Sequence, residues 1–217
     1  MSALVDILSG QLVLENAESK INGRLTVIRD LTWGTYIKGG GLPQSGGLAE
    51  KIWNISLREL SKKKVEVKSV LVLGLGGGGL VKDVRSHWPK SKITGVDIDP
   101  VIVELGKKYL NLNSYKVNVL IKDAEDFVKE SIKKGDEYDL ICVDTYLGDE
   151  FPEKFENETF LKNIRKLLDD DGHVIFNRLY GSTDRKNANK MGDKLESIFT
   201  EVDRVYPVAN VMFVCKK

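Results

Sequence analysis

Three features predict an α/β fold for this chain. Strands alternate with helices from residue 69 onward, a glycine-rich turn joins the first of those strands to its helix, and two closing strands share only a short connection. Alternation implies a parallel sheet with helices on both faces. The short last connection cannot link parallel neighbours, which need a crossover of about a dozen residues. The expected architecture is therefore a doubly wound, mostly parallel seven-stranded sheet with a C-terminal antiparallel strand. A small N-terminal β-element precedes it. The expected division is 1–45 for that β-element and a glycine-rich linker, and 46–217 for the doubly wound domain.

Charge and composition narrow the partners. The 33 basic and 32 acidic residues of this 217-residue chain leave a net charge of +1, with no electrostatic case for nucleic acid or a membrane surface. Lys62–Lys63–Lys64 falls at an expected helix end, where it compensates the dipole. No apolar run approaches the ~18 residues of a membrane span, and Asp6 interrupts a short apolar start without a basic leader. Cys142 and Cys215 sit in apolar strand-like runs and read as buried thiols of a reducing compartment. His87 and His173 are isolated, so no metal site is expected. A cytoplasmic location follows.

Taken in order, Gln11–Glu15, Gly23–Arg29 and Thr32–Lys38 read as strands with turns at Asn22–Gly23 and Arg29–Asp30. Gly39–Gly47 reads as a linker. Leu48, Ile52, Trp53, Leu57 and Leu60 recur at helical spacing. Ser69–Leu73 is an apolar strand, followed by five glycines within residues 74–79 and a helix from Leu80. Then come strand Lys92–Asp97, helix Pro100–Leu110, strand Val117–Ile121 and helix Ala124–Lys134 capped by Asp123. Strand Tyr138–Asp144, helix Asn157–Leu168, a turn at Asp171–Gly172, strand His173–Asn177 and helix Arg185–Phe199 follow. Strands Glu201–Tyr206 and Asn210–Cys215 close the chain.

In such a sheet, ligands bind beyond the carboxyl ends of the strands. Four of these ends carry chemistry. Gly74, Gly76 and Gly79 satisfy G-x-G-x-x-G, a turn that presents backbone N–H groups to a nucleoside or simply turns tightly. Asp97 lies 23 positions after Gly74 and suits both ribose hydroxyls, in either a nicotinamide or an S-adenosyl ligand. Asp99 reads as a helix cap. Asp123, followed by Ala124, suits an adenine amino group as well as a cap. Asp144 suits a base or a partner for a cationic amine, with Tyr146 beside it as wall or hydrogen-bond partner.

This Rossmann-like pattern with its closing hairpin resembles the class I S-adenosylmethionine-dependent transferase fold. More narrowly, Val70–Leu80, Val96–Pro100, Lys122–Ala124, Tyr138–Asp144 and Phe160–Leu168 resemble the core of spermidine synthases and related polyamine aminopropyltransferases. Asp97–Ile98–Asp99–Pro100 is the most specific element, and Ser19–Val27 resembles the β-element before that core. The resemblance implies a transferase in which Gln44, Gly74, Gly76, Gly77, Asp97, Ile98, Asp123 and Ala124 bind the cofactor. That cofactor is S-adenosylmethionine or its decarboxylated form. Asp144, with Tyr146, takes or orients the proton of an attacking amine. The implied substrate is a small molecule such as a polyamine, and the β-rich N-terminus with its edge strands suggests a homodimer.

The chain departs from the family at three places, all on the amine side. Gly77 stands where the family's turn has an Asp, the Tyr–His–Glu element is missing from Leu48–Leu60, and Leu147 replaces a second Asp, with Asp149 as a displaced substitute. Burying an ammonium is costly without carboxylates or aromatic faces. Methyl transfer is therefore the alternative to aminopropyl transfer. A nicotinamide-dependent oxidoreductase and a catalytically silent nucleoside-binding homologue are the further rivals.

Overall fold

The structure is a computed structural model, and it describes residues 10–148 and 150–217. The displaced substitute Asp149 and the N-terminal stretch around Asp6 lie outside the described residues. Four strands come first: β1 (Gln11–Ser19), β2 (Gly23–Asp30), β3 (Gly34–Gly39) and β4 (Leu42–Gly46), an antiparallel sheet in that order. Helix α1 (Gly47–Lys62) leads into the alternating part: β5 (Ser69–Leu73), α2 (Gly79–His87), β6 (Lys92–Asp97), α3 (Pro100–Tyr109), β7 (Val117–Ile121), α4 (Ala124–Lys134) and β8 (Tyr138–Val143). It ends with α5 (Glu158–Lys166), β9 (Leu168–Leu179), α6 (Arg185–Ile198), β10 (Glu201–Val205) and β11 (Asn210–Lys216).

The large sheet runs β10-β11-β9-β8-β5-β6-β7. Strands β9, β8, β5, β6 and β7 are parallel neighbours, and β11 is antiparallel to both β9 and β10. The antiparallel strand is thus last in sequence but internal in space, with β10 outside it. This placement matters for the site, because the first residue of β11 lies at the edge where the parallel strands end.

Alternation along the buried strands sorts the core into two layers. Val70 and Val72 of β5 face the layer built from Ile52, Trp53 and Leu57 of α1, Val81 and Val84 of α2, and Ile102 of α3. Leu71 and Leu73 face Val128 of α4, Phe160 and Ile164 of α5, and Leu195 of α6. Helices α1–α3 cover one face and α4–α6 the other. The N-terminal sheet joins the first layer through Leu25, Val27 and Ile37, all fully buried. A polar clasp holds it there: Ser19 Oγ (2.5 Å) and Asn22 Nδ2 (2.6 Å) donate to Asp99 Oδ2, while Asp99 Oδ1 accepts from Val101 N–H and caps α3.

Two local expectations are corrected. The expected linker Gly39–Gly47 contains strand β4, paired with β3. Positive φ at Gly40, Gly41, Gly46 and Gly47 turns the chain tightly enough to bring it back, and Pro43 is tolerated because β4 is an edge strand. The Asp171–Gly172 turn does not start a strand. It belongs to an excursion within β9, whose Leu168 pairs with Tyr138 and whose His173 pairs with Leu140, leaving Asp169–Asp171 exposed between them.

Asp83 sits at the α1–α2 contact. Asn54 Nδ2 donates to its Oδ1 (2.7 Å), while its Oδ2 is buried without a partner among the described residues. Burial pushes this carboxyl up to about 6, against the pull of Asn54. The unfolded chain releases that proton near 3.8, so the folded chain holds more protons between these values and loses stability as pH rises through them. Asp83→Asn is expected to raise stability by about 1–3 kcal/mol at pH 7.5 and by nothing below pH ~4. Urea unfolding at the two pH values checks this.

Candidate active site at the carboxyl edge of the sheet

The residues at the parallel strand ends surround one cavity of about 290 Å³. The turn after β5 forms its floor. Gly74 N–H and Leu75 N–H both donate to Val96 O, tying the turn to β6, and Gly76 N–H donates to Asp97 Oδ2 (2.6 Å). Gly74 has φ +83°, and a Cβ there would lie 2.1 Å from Asp144 O. Only glycine lets β5 turn this close to the end of β8.

Gly74 and Gly76 line the cavity; Gly77 does not. A Cβ at Gly77 would strike Ile37 Cδ1 (2.7 Å) and Leu110 Cδ1 (2.9 Å), and a Cβ at Gly106 of α3 would lie 2.4 Å from Gly77 Cα. By residue 77 the turn has passed the cavity and is pressed between α3 and β3. Gly77 is packed against these residues and stands off the cavity lining.

Asp97 closes β6 with both oxygens engaged, Oδ2 by Gly76 and Oδ1 by Asp99 N–H (2.8 Å). Burial pushes its carboxyl up to about 6, against the backbone N–H groups of Asp99, Gly76 and Ile98. Ile98 follows on the cavity wall, 40% exposed. At the end of β7, Asp123 Oδ1 caps α4 by accepting from Glu125 and Asp126 N–H, and Lys154 Nζ sits 2.5 Å from Oδ2. Burial raises the Asp123 carboxyl, but the Lys154 ammonium and the helix N–H groups outweigh it and hold the group below its ordinary value. Ala124 lines the same wall.

Gln44 reaches the cavity from β4. Its Nε2 donates to Gly39 O (3.0 Å) and Gly148 O (2.8 Å), bridging the N-terminal sheet to the segment after β8. Leu48 and Ala49 of α1 complete that side, where the family's Tyr–His–Glu element is absent.

Asp144 lies deep beyond β8 yet opens onto the cavity. Its Oδ2 accepts from Trp53 Nε1 (2.7 Å) and its Oδ1 from Asn177 Nδ2 (2.8 Å); Asn177 Oδ1 accepts in turn from Asn210 Nδ2 (2.7 Å). No cation pairs with Asp144 among the described residues. Burial raises its carboxyl above the ordinary range, and Trp53 and Asn177 counteract this. Next to it, Thr145 lines the cavity, and its Oγ1 is buried without a hydrogen-bond partner among the described residues.

Tyr146 is held as part of the wall. Leu179 N–H donates to its hydroxyl (2.7 Å), its ring meets Phe151 edge-on, and burial pushes the phenol far above its usual range. Phe151 in turn carries the Arg178 guanidinium 4.0 Å over its ring. The oxygen of Tyr146 is therefore occupied, and the hydroxyl keeps only its proton to offer.

The structure thus gathers Gln44, Gly74, Gly76, Asp97, Ile98, Asp123, Ala124, Asp144 and Tyr146 around one cavity. It adds Thr145, Lys154, Asn177 and Asn210 to the lining, with Trp53 behind Asp144. Asn177 carried the signal that exposed Asp97 and Asp144, a polar residue at the carboxyl end of a buried strand. Among the described residues, no group of three His, Cys, Asp or Glu is placed to hold a metal ion, and no helix is long and apolar enough to cross a membrane.

A Rossmann-like sheet with an internal antiparallel strand is the architecture of the class I S-adenosylmethionine-dependent transferase fold. Residues 50–211 match the spermine/spermidine synthase domain, and the chain belongs to that family. A polyamine aminopropyltransferase from Methanocaldococcus jannaschii is 38% identical over 117 residues, covering 50% of this chain and 38% of that protein. The mouse eEF1A lysine and N-terminal methyltransferase is 29% identical over 156 residues, 68% of this chain and 22% of that protein. The chain thus spans less than half the length of these curated relatives. Spermidine synthase from Thermotoga maritima shares the fold, with TM-score 0.77 over 94% of this chain and 72% of that one at 18% identity. Human methyltransferase-like protein 13 in complex with SAH gives TM-score 0.63 over 77% of this chain and 81% of that one, at 26% identity.

Proposed function

We propose that this protein transfers an aminopropyl or other alkyl group from a decarboxylated S-adenosylmethionine-type nucleoside to a small amine. The observation that carries the reading is a single cavity bordered by Gly74, Gly76, Asp97, Asp123 and Asp144 together. The donor set fits the nucleoside: carboxylates at two strand ends, Ile98 on the wall, and Thr145 Oγ1 buried with no partner. When bound, the sulfonium supplies an electrophilic carbon on a thioether leaving group. Asp97 holds the ribose hydroxyls, and Asp123 with Ala124 borders the base. Asp144 orients the amine and takes its proton, while Leu48, Ile52 and Tyr146 keep water from the reacting centre. The outer edge of β1, unpaired among the described residues, offers a surface for pairing two copies.

Methyl transfer from S-adenosylmethionine is the second reading. It is favoured by Gly77, which carries no carboxylate and whose Cβ position is crowded by the side-chain tips of Ile37 and Leu110. Titration calorimetry with S-adenosylmethionine, its decarboxylated form and methylthioadenosine tests both. Silence with all three would sink both readings. Binding is expected to tighten from pH 5 to 7 as Asp97 ionises. Asp97→Asn is expected to weaken it about 10- to 100-fold and to flatten that pH dependence.

A further inference from the structure

We propose that Trp53, acting with the Asn177–Asn210 pair, is the positioning element that fixes the Asp144 carboxylate and sets its charge at the amine end of the cavity. The three residues come from separate elements, α1, β9 and β11; Trp53 and Asn177 meet on the Asp144 side chain, and Asn210 braces Asn177. Trp53 Nε1 holds Oδ2 at 2.7 Å and Asn177 Nδ2 holds Oδ1 at 2.8 Å. Asn210 Nδ2, 2.7 Å from Asn177 Oδ1, dictates which way the Asn177 amide faces. With the oxygen of Asn177 committed to Asn210, only its NH₂ can face Asp144.

The arrangement has a chemical consequence. A carboxylate offers about four acceptor sites. One on each oxygen is taken, so the group cannot rotate, and the remaining sites are left for a ligand. Both donors are neutral. They favour the charged form without cancelling it, as an Arg or Lys partner would. An incoming amine therefore meets an undischarged anion. Trp53 does not line the cavity and is 2% exposed, so it acts through Asp144 rather than on a ligand. Two titratable groups interact with the Asp144 charge: Cys142 on β8 and Tyr146 after it. Burial keeps both neutral, and the Arg178 cation is engaged by the Phe151 ring and Glu156.

The proposal rests on the transfer reading only for its effect on turnover, so its test begins without activity. The Asp144 side-chain carboxyl is followed by carbon-13 NMR across pH, its signal assigned by its loss in Asp144→Asn. Trp53→Phe and Asn177→Ala each remove one donor to the charged form. Each is expected to move the Asp144 midpoint upward by about one pH unit, and Asn210→Ala by less. In a turnover assay the acidic limb of the pH profile moves by the same amount, which a merely structural role for Trp53 would not produce. An unchanged midpoint in both donor variants overturns the proposal, and Asn177→Ala alone decides should Trp53→Phe not fold. Shifted midpoints with no turnover in the parent protein would remove the transfer reading and leave the network standing.

Discussion

Asp144→Asn is expected to lower turnover with an amine acceptor by about 10²- to 10⁴-fold, with nucleoside affinity changed little. The substitution keeps the shape of the side chain and removes the proposed proton acceptor. Asp144 is the only carboxylate among the described cavity residues that is held by neutral side chains alone; Asp97 is engaged by backbone N–H groups and Asp123 by backbone N–H groups and Lys154. The amide of Asp144→Asn keeps one acceptor and turns its NH₂ toward Trp53 Nε1–H or Asn177 Nδ2, so the unfolding midpoint is measured beside the kinetics to separate lost stability from lost turnover. Parallel kinetics and calorimetry check the prediction. Equal loss of nucleoside binding and turnover would show that Asp144 holds the nucleoside rather than the proton.

Gly74→Ala is expected to cost about 3 kcal/mol or more and to lower the melting temperature by roughly 10 °C. Two penalties add at this position. The backbone is left-handed at φ +83°, and the new Cβ would sit 2.1 Å from Asp144 O, a backbone atom that no rotamer change can move. Gly135 is the control. It has φ +74° at the end of α4 but open space around the Cβ position, so alanine there costs only the conformational strain, about 1 kcal/mol. Thermal unfolding of the two variants separates clash from strain. Equal midpoints would mean that the turn does not approach the end of β8 so closely. Because the clash is with the backbone of Asp144, the substitution at Gly74 should also displace the Asp144 side chain.

The elements from β5 onward were legible because each carries its own period: β-branched runs for buried strands, and spacings such as Met191, Leu195 and Ile198 for helices. The acids at the strand ends were legible for the same reason, since a charge ending an apolar run marks the edge of the sheet. What could not be read depends on direction in space. Glycines mark linkers and tight strand returns alike, so β4 was hidden within Gly39–Gly47. The position of Gly77 in the motif does not reveal that its Cβ would point at Ile37 instead of the cavity. Trp53 had the spacing of a core residue, which it is, and nothing local signals that its N–H is aimed at Asp144. Asn210 starts its strand, and reaches the site only because β11 runs against its neighbours. Lys154 lies in a connecting segment without periodicity, and its pairing with Asp123 emerges only from the tertiary fold.

The most direct test of the transfer reading is mass spectrometry of reactions containing decarboxylated S-adenosylmethionine and a panel of small amines. The account predicts methylthioadenosine appearing in step with an aminopropylated amine, and the loss of both in Asp144→Asn. Formation of S-adenosylhomocysteine from S-adenosylmethionine instead would reassign the site to methyl transfer. Neither nucleoside product from either donor would contradict the account.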